Sequence, residues 1–464
     1  MNFRSRLFQE SRPTLLLALP LIAGQLSYML TALADTIMIG RLGVTPLAAA
    51  TFANSLLYLP LMFCIGLTVA VSIQVSQARG ANKPAQARSA LRHGLVLAAA
   101  IGLITVAGAA CVVPLLPFFQ QPPDVAAAAP GYFMLVAVSF IPAMGTMAFK
   151  NHADAMNRPW IPLFILLGGV AANVLFNWLL IYGHWGFPAW GLEGAGVATL
   201  LARALTLLGL ALWYRQDEGL RSWTPERWIQ RPDWRELRKL WSLGWPTSMQ
   251  LLAEVSAFVM ATLIIGTLGA NALAAHQVAI TCAATIYMVP VGLSQAITVR
   301  IGESYGAGRF QSLRPILAGG WTMGGLFTCF SATAFLFLNH AIAGLFIEDP
   351  DALALAASLL IVAALFQFSD AMQIISVGAL RGLGEVRRPA WLSFIACWFI
   401  SIPSGWVLAY PLGYGVIGVW WGFTLGLCMM ALTFGILAWL KTSPALPRPP
   451  YLPTEPLGTP EPVA

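Results

Sequence analysis

Twelve long apolar runs fill this chain, and positive charge falls almost entirely in every second gap between them. That alternation constrains the fold more than any other feature. The runs cover roughly 13–38, 47–78, 89–116, 131–149, 159–182, 191–214, 240–266, 273–299, 315–338, 352–378, 390–410 and 415–440. About 20 residues of helix cross a bilayer core of ~30 Å, so each run spans once, and the longer ones tilt or extend beyond it. Of the 26 Lys and Arg, all but Arg41 and Arg203 lie at the N-terminus, in alternate loops or after the last run. Cytoplasmic loops are the ones enriched in Lys and Arg, which places both termini in the cytoplasm. Only 10% of the residues are charged, against about 25% in soluble domains. A soluble enzyme, a disordered chain and a nucleic-acid-binding protein are excluded on that ground, despite the net charge of +7. The expected fold class is an all-α multi-pass membrane protein of twelve transmembrane helices.

Two features invite other readings. Arg4 and Arg6 ahead of an apolar run, with Ala32-Leu33-Ala34 after it, imitate a cleaved leader. The run is longer than the ~7–15-residue core of a signal peptide, so it reads as a retained first helix. The six cysteines are scattered through apolar runs and read as small buried hydrophobes rather than as metal ligands or a bridge.

The chain repeats itself at an offset of 226. Ile39-Gly40-Arg41-Leu42-Gly43 pairs with Ile265-Gly266-Thr267-Leu268-Gly269, and Leu47-Ala48-Ala49 with Leu273-Ala274-Ala275. Pro20 pairs with Pro246, Gly66 with Gly292, Gly80 with Gly306 and Arg88 with Arg314. Two six-helix lobes that both start inside are parallel repeats, related by a pseudo-two-fold axis along the membrane normal, and such repeats place a substrate path between them. The expected division is an N-lobe over 1–213, a cytoplasmic linker over 214–239, a C-lobe over 240–441 and a disordered, proline-rich tail over 442–464.

Acidic residues inside the runs are few, and Asp35, Glu254 and Asp370 stand out. Each costs about 2.5–3.5 kcal/mol at the bilayer centre on insertion scales, so none is expected to face lipid. The offset pairs Asp35 with Ala261 and Glu254 with Tyr28; acids needed only for packing of the repeat would recur, so these three read as ion or proton sites. Asn173 and Asn177 share a helix face at i, i+4. With Asp35 and Thr199 they fall about 6–14 Å below the outer helix ends at ~1.5 Å per residue. The four together suit either an oxygen-rich pocket or interhelical hydrogen bonding, and spacing leaves both open. Glu254 and Asp370 are possible Na⁺ ligands in the second half. Arg203 reads as a cavity counter-charge or a locally paired side chain. Met249, Phe258, Tyr287 and Met288 are candidates for contacts to a bulky aromatic cation, being polarisable or capable of cation–π contact. No metalloprotease, nucleotide-binding or hydrolase motif occurs in the sequence, so no enzyme activity is expected, and energy must come from an ion gradient.

Nearly the whole chain, from about Pro13 to Leu440, resembles the multidrug and toxic compound extrusion (MATE) transporters in their bacterial NorM-like branch. The resemblance is carried by Leu33-Ala34-Asp35-Thr36-Ile37-Met38-Ile39-Gly40-Arg41, Asn173-Val174-Leu175-Phe176-Asn177-Trp178 and Gly194-Ala195-Gly196-Val197-Ala198-Thr199. In the second half it is carried by Ala274-Ala275-His276-Gln277, Val299-Arg300-Ile301-Gly302-Glu303 and Val377-Gly378-Ala379-Leu380-Arg381-Gly382. It implies a cation- or proton-coupling site on Asp35, Asn173, Asn177 and Thr199, and a second on Glu254 and Asp370. It further implies efflux of small organic cations (drugs and dyes) in exchange for H⁺ or Na⁺ by a monomer in the bacterial inner membrane, without a cofactor. Arg203 matches none of the family's motifs. The rival readings are a lipid-linked precursor flippase of the same superfamily, a major-facilitator antiporter and an intramembrane enzyme.

Overall fold

The computed structural model describes residues 3–228 and 230–444. Among the described residues twelve helices are long and apolar enough to cross a membrane: α1 (Phe3–Gly40), α2 (Val44–Gly80), α3 (Pro84–Phe119), α4 (Pro123–Ala155), α5 (Trp160–Tyr182), α6 (Gly191–Gln216), α7 (Trp234–Gly266), α8 (Ala270–Gly306), α9 (Phe310–Phe337), α10 (Pro350–Gly382), α11 (Arg387–Ala409) and α12 (Gly415–Lys441). Among the described residues there is no strand. Each apolar run lies, to within a residue, inside one of these helices. The tail over 442–464 falls from residue 445 onward outside the described residues.

Local chemistry sets the helix ends. Pro84 opens α3, where its missing N–H costs nothing. Asp349 caps α10 by accepting the Ala352 amide at 2.9 Å. Gly43 and Gly269, equivalent in the repeat, have φ of +120° and +116°, a backbone that a side chain would strain, so the turn into the second helix of each half is the same. Three helices are irregular, α3 tightening into a 3-10 stretch over Val113–Phe119. The helical stretches Pro123–Val138 and Phe140–Ala155 of α4 meet at Ser139, and a π-helical stretch, Ala396–Ser401, interrupts α11.

Several helices run past their apolar cores, and this corrects the reading of two charges. Helix α4 continues to Ala155, so Lys150 belongs to the helix and not to a loop, and Asp154 lies buried in its last turn. The apolar pattern stops at Phe149 because the next turn buries polar groups against each other: Lys150 Nζ meets Asp154 Oδ2 at 2.7 Å. Arg381, likewise counted as a loop charge, lies buried in the last turn of α10.

The chain divides into two compact units. The N-unit holds Ala23–Val75 and Lys83–Ser248; the C-unit holds the chain up to Ile22, Ser76–Asn82 and everything described from Met249 on. The boundaries Ile22 and Ser248 are themselves 226 residues apart, so the first turns of α1 belong to the C-unit and the first turns of α7 to the N-unit. Glycines make room for each. A Cβ at Gly66 would stand 2.5 Å from Ser248 Cα within the N-unit, and one at Gly292 would stand 2.7 Å from Ile22 Cα within the C-unit. The second pair of repeated glycines acts likewise: a side chain at Gly80 would collide with the Glu303 carbonyl and one at Gly306 with the Gln77 carbonyl. Gln77 Nε2 also donates to the Gly382 carbonyl at 2.9 Å, and Arg79 lies 3.5 Å from Glu303.

Candidate functional site

In the N-unit, α1 and α5 bring Asp35 to Asn177, whose Nδ2 donates to the carboxylate at 2.6 Å. The same amide group lies 3.2 Å from Asn173 Oδ1, as the one-turn spacing on α5 requires. Asn177 Oδ1 is buried and accepts no hydrogen bond among the described residues. Thr199 is buried in α6, but its hydroxyl donates to the Ala195 carbonyl of its own helix at 3.0 Å. The structure thus joins Asp35, Asn173 and Asn177, while the hydroxyl of Thr199 is turned to its own backbone.

Arg203 is paired locally. Its guanidinium donates to Ser139 Oγ at 2.7 Å, at the break of α4, and lies 5.8 Å from the centre of the Phe140 ring. It is also within electrostatic reach of Asp35, Tyr132 and Tyr28. Asn54 donates to the Tyr132 hydroxyl at 3.3 Å, which adds a further polar pair near the acid.

The C-unit cluster is built differently. Glu254 on α7 is buried, and its Oε1 accepts from Gln250 Nε2 and from Ser393 Oγ, both at 3.0 Å. Gln250 Oε1 in turn accepts from Arg381 at 3.2 Å. The amide relays the charge of the guanidinium to that of the acid. Asp370 on α10 accepts from Gln373 Nε2 at 3.4 Å and is in electrostatic reach of Glu254. Gln373 Oε1 is buried and accepts no hydrogen bond among the described residues. Two carboxylates and a spare amide oxygen are hard oxygen donors of the kind that hold Na⁺ or other hard cations. No group of three or more His, Cys, Asp or Glu able to hold a metal ion occurs among the described residues. Ser393 is three residues before the π-helical stretch of α11, an irregularity frequent at functional sites.

Reading the sequence missed Gln250, Gln373, Ser393 and Arg381. The first two had a signal, since they lie at i−4 from Glu254 and i+3 from Asp370. Ser393 had none, and Arg381 was hidden by its place in a loop-like run of charge. Of the four candidate cation contacts, Phe258 is engaged in packing: it stacks on Phe423 at 4.8 Å and meets Phe366 edge-on at 6.2 Å. The cavity beside it, lined also by His276 and Trp420, is about 10 Å³, far too small for an organic cation. Met249, Tyr287 and Met288 are half-buried, and Tyr287 is in electrostatic reach of Arg381.

Twelve helices long and apolar enough to span a membrane, in two repeats with acids held on them, are the architecture of a membrane transporter. The MatE family model matches residues 20–179 and again 246–407, two copies that start 226 residues apart. A probable multidrug resistance protein NorM of Rhizobium meliloti strain 1021 is 35% identical over 447 residues, 94% of this chain and 95% of its own length. One of Pseudomonas putida strain KT2440 is 36% identical over 433 residues, 92% of this chain and 94% of its own. The fold is shared with the crystal structure of the Vibrio cholerae MATE transporter VcmN in its bent form, at a TM-score of 0.82 and 21% identity, over 94% of this chain and 98% of that one. The chain belongs to the MatE family.

Proposed function

We propose that this multi-pass membrane protein is a multidrug efflux antiporter of the bacterial inner membrane, exporting lipophilic organic cations in exchange for protons, with Na⁺ as the other ion its sites suit. The observation that carries the reading is the pair of polar clusters on the long apolar helices, one per unit, each joining an acid to an amide whose oxygen is unpartnered among the described residues: Asp35 with Asn177, and Asp370, in electrostatic reach of Glu254, with Gln373. The names of the relatives, as multidrug resistance proteins, supply the substrate class.

The chemistry follows from the acids. Inside a protein a bare carboxylate is disfavoured, so each acid binds a proton, a metal ion or a cationic substrate. Drug and coupling ion then compete, and exchange acquires direction when each favours a different access state. A lipid-linked precursor flippase would need cations free to meet a pyrophosphate. Lys150, Arg203 and Arg381 are each engaged inside their own unit, with Asp154, Ser139 and Gln250, which favours a cationic substrate. Both termini face the cytoplasm in this reading.

Everted vesicles given a fluorescent organic cation and an imposed proton or Na⁺ gradient test the proposal. Gradient-dependent uptake is expected, and equal competition by anionic dyes would overturn the cationic reading. Single cysteines beside Arg41, or in the loop of Glu348 and Asp351, should react with an impermeant thiol reagent in intact cells. Labelling only after lysis would overturn the orientation.

A further inference from the structure

We propose that the buried Lys150–Asp154 ion pair is a second proton station of the N-unit, joined to Asp35 along one polar face of α1. The proposal rests on the proton-coupled reading above. The two side chains, one turn apart on α4, are 5% and 6% exposed. Asp154 Oδ1 is buried and accepts no hydrogen bond among the described residues. An ion pair that serves only to lock helices together is stable in the interior when every oxygen is satisfied. This one keeps an acceptor in reserve.

Helix α1 supplies the connection. Gly24, Tyr28, Thr31 and Asp35 stand at i, i+4, i+7 and i+11, within about 60° of one another around the axis and over ~16 Å of its length. At the lower end Gly24 leaves room for the lysine stem, with Lys150 Cε 3.6 Å from where a Cβ would stand. In the middle the Tyr28 hydroxyl donates to Met147 Sδ at 3.6 Å, three residues before Lys150 on α4. Tyr28 is in electrostatic reach of Lys150, Asp154 and Arg203. The Thr31 hydroxyl donates to the Ser27 carbonyl at 3.0 Å and keeps its lone pairs for a donor. Hydroxyl-bearing residues therefore stand at successive turns of α1 between the acid and the ion pair, their backbone positions ~4.5–6 Å apart along the axis, and water completes the path between them in this proposal.

The other groups facing the pair are few. His152, on α4 itself, meets the Tyr214 hydroxyl at 2.9 Å, and Tyr214 on α6 is in electrostatic reach of Asp154. From α2, the Thr68 carbonyl accepts from Asn151 at 2.9 Å. Arg203 stays protonated, so it carries no proton; it offsets the Asp35 carboxylate once that proton has left.

In the step itself an O–H bond breaks at the Asp35 carboxylic acid. The proton passes along the hydroxyls and intervening water, and an O–H bond forms at Asp154 Oδ1. Asp35 is left as a carboxylate against the Asn177 amide, and Lys150 stands beside a neutral acid. That state holds a buried net positive charge, which is unfavourable, so the proton leaves to water at the end of α4 and the ion pair is restored.

Purified protein in liposomes loaded with a pH-sensitive dye, challenged with ethidium, tests this. The double variant Lys150→Met/Asp154→Leu removes both charges and leaves none unpaired. Its ethidium-driven proton movement is expected to fall at least about tenfold, on the scale of a lost acid–base group, with its melting temperature retained. Tyr28→Phe keeps the ring and removes the hydroxyl, and is expected to slow proton movement severalfold, which a merely structural role would not do. Wild-type proton movement in the folded double variant overturns the proposal; if that variant does not fold, a wild-type rate in Tyr28→Phe overturns it. A wild-type protein that exchanges ethidium for Na⁺ without moving protons defeats the proton-coupled reading itself, before any variant is measured.

Discussion

The two polar clusters stand on one repeated scaffold and share almost no chemistry. In the N-unit Asn177 donates to Asp35, and the guanidinium of Arg203, in electrostatic reach of the acid, donates to Ser139. In the C-unit Glu254 accepts two donors and is tied through Gln250 to Arg381. The offset that superposes glycines and prolines pairs Asp35 with Ala261 and Glu254 with Tyr28. The repeat therefore carries the frame, while the ionisable groups differ between the halves.

The sharpest test of that contrast removes the acids. Asp35→Asn, Glu254→Gln and Asp370→Asn keep shape while fixing the neutral form, and each is expected to lower gradient-driven efflux about a hundredfold, equivalent to ~2.7 kcal/mol, in vesicles matched for expression. If the units act independently, Asp35→Asn combined with Glu254→Gln should show the summed free-energy loss in drug binding; a smaller loss would show coupling. The next effect is on stability. Arg381→Met leaves Gln250 Oε1 and a buried acid without their cation, and thermal or denaturant unfolding in detergent should show a loss of about 1.5–3 kcal/mol, partly restored when Glu254→Gln is added. Asn177→Leu removes one donor from Asp35 and should cost about 1 kcal/mol by the same measurement. Thr199→Val should cost less than about 0.5 kcal/mol, because its hydroxyl donates only to its own helix; a fall in efflux without a loss of stability would mark its oxygen as part of the acid's site.

The frame was legible because the bilayer enforces it. Twelve runs with alternating charge leave one helix count, and the paired glycines are visible as letters. The ends were not legible: Lys150, Asp154 and Arg381 read as loop residues, since local hydropathy reports lipid exposure and these side chains are buried against protein. Partner choice was half legible. Asn173, Asn177, Gln250 and Gln373 follow from one-turn spacing, but Ser393 reaches Glu254 from 139 positions away, which no local pattern encodes. Phe258 misled for a related reason: an aromatic on a spanning helix looks the same whether it meets a ligand or, as here, Phe423.

The crossing of α1 and α7 between units has a consequence for biosynthesis. Residues up to Ile22 leave the ribosome first, yet the rest of their unit, apart from Ser76–Asn82, begins only at Met249. Conversely, the N-unit is incomplete until the chain has been made as far as Ser248. Neither half, cut at the central linker, would carry all of its own contacts. A single ancestral half would regain them by lending its leading turns to a second copy, a swapped homodimer of the kind that exchange of identical elements produces. Gly66 and Gly292 are the points where each half admits the other half's backbone.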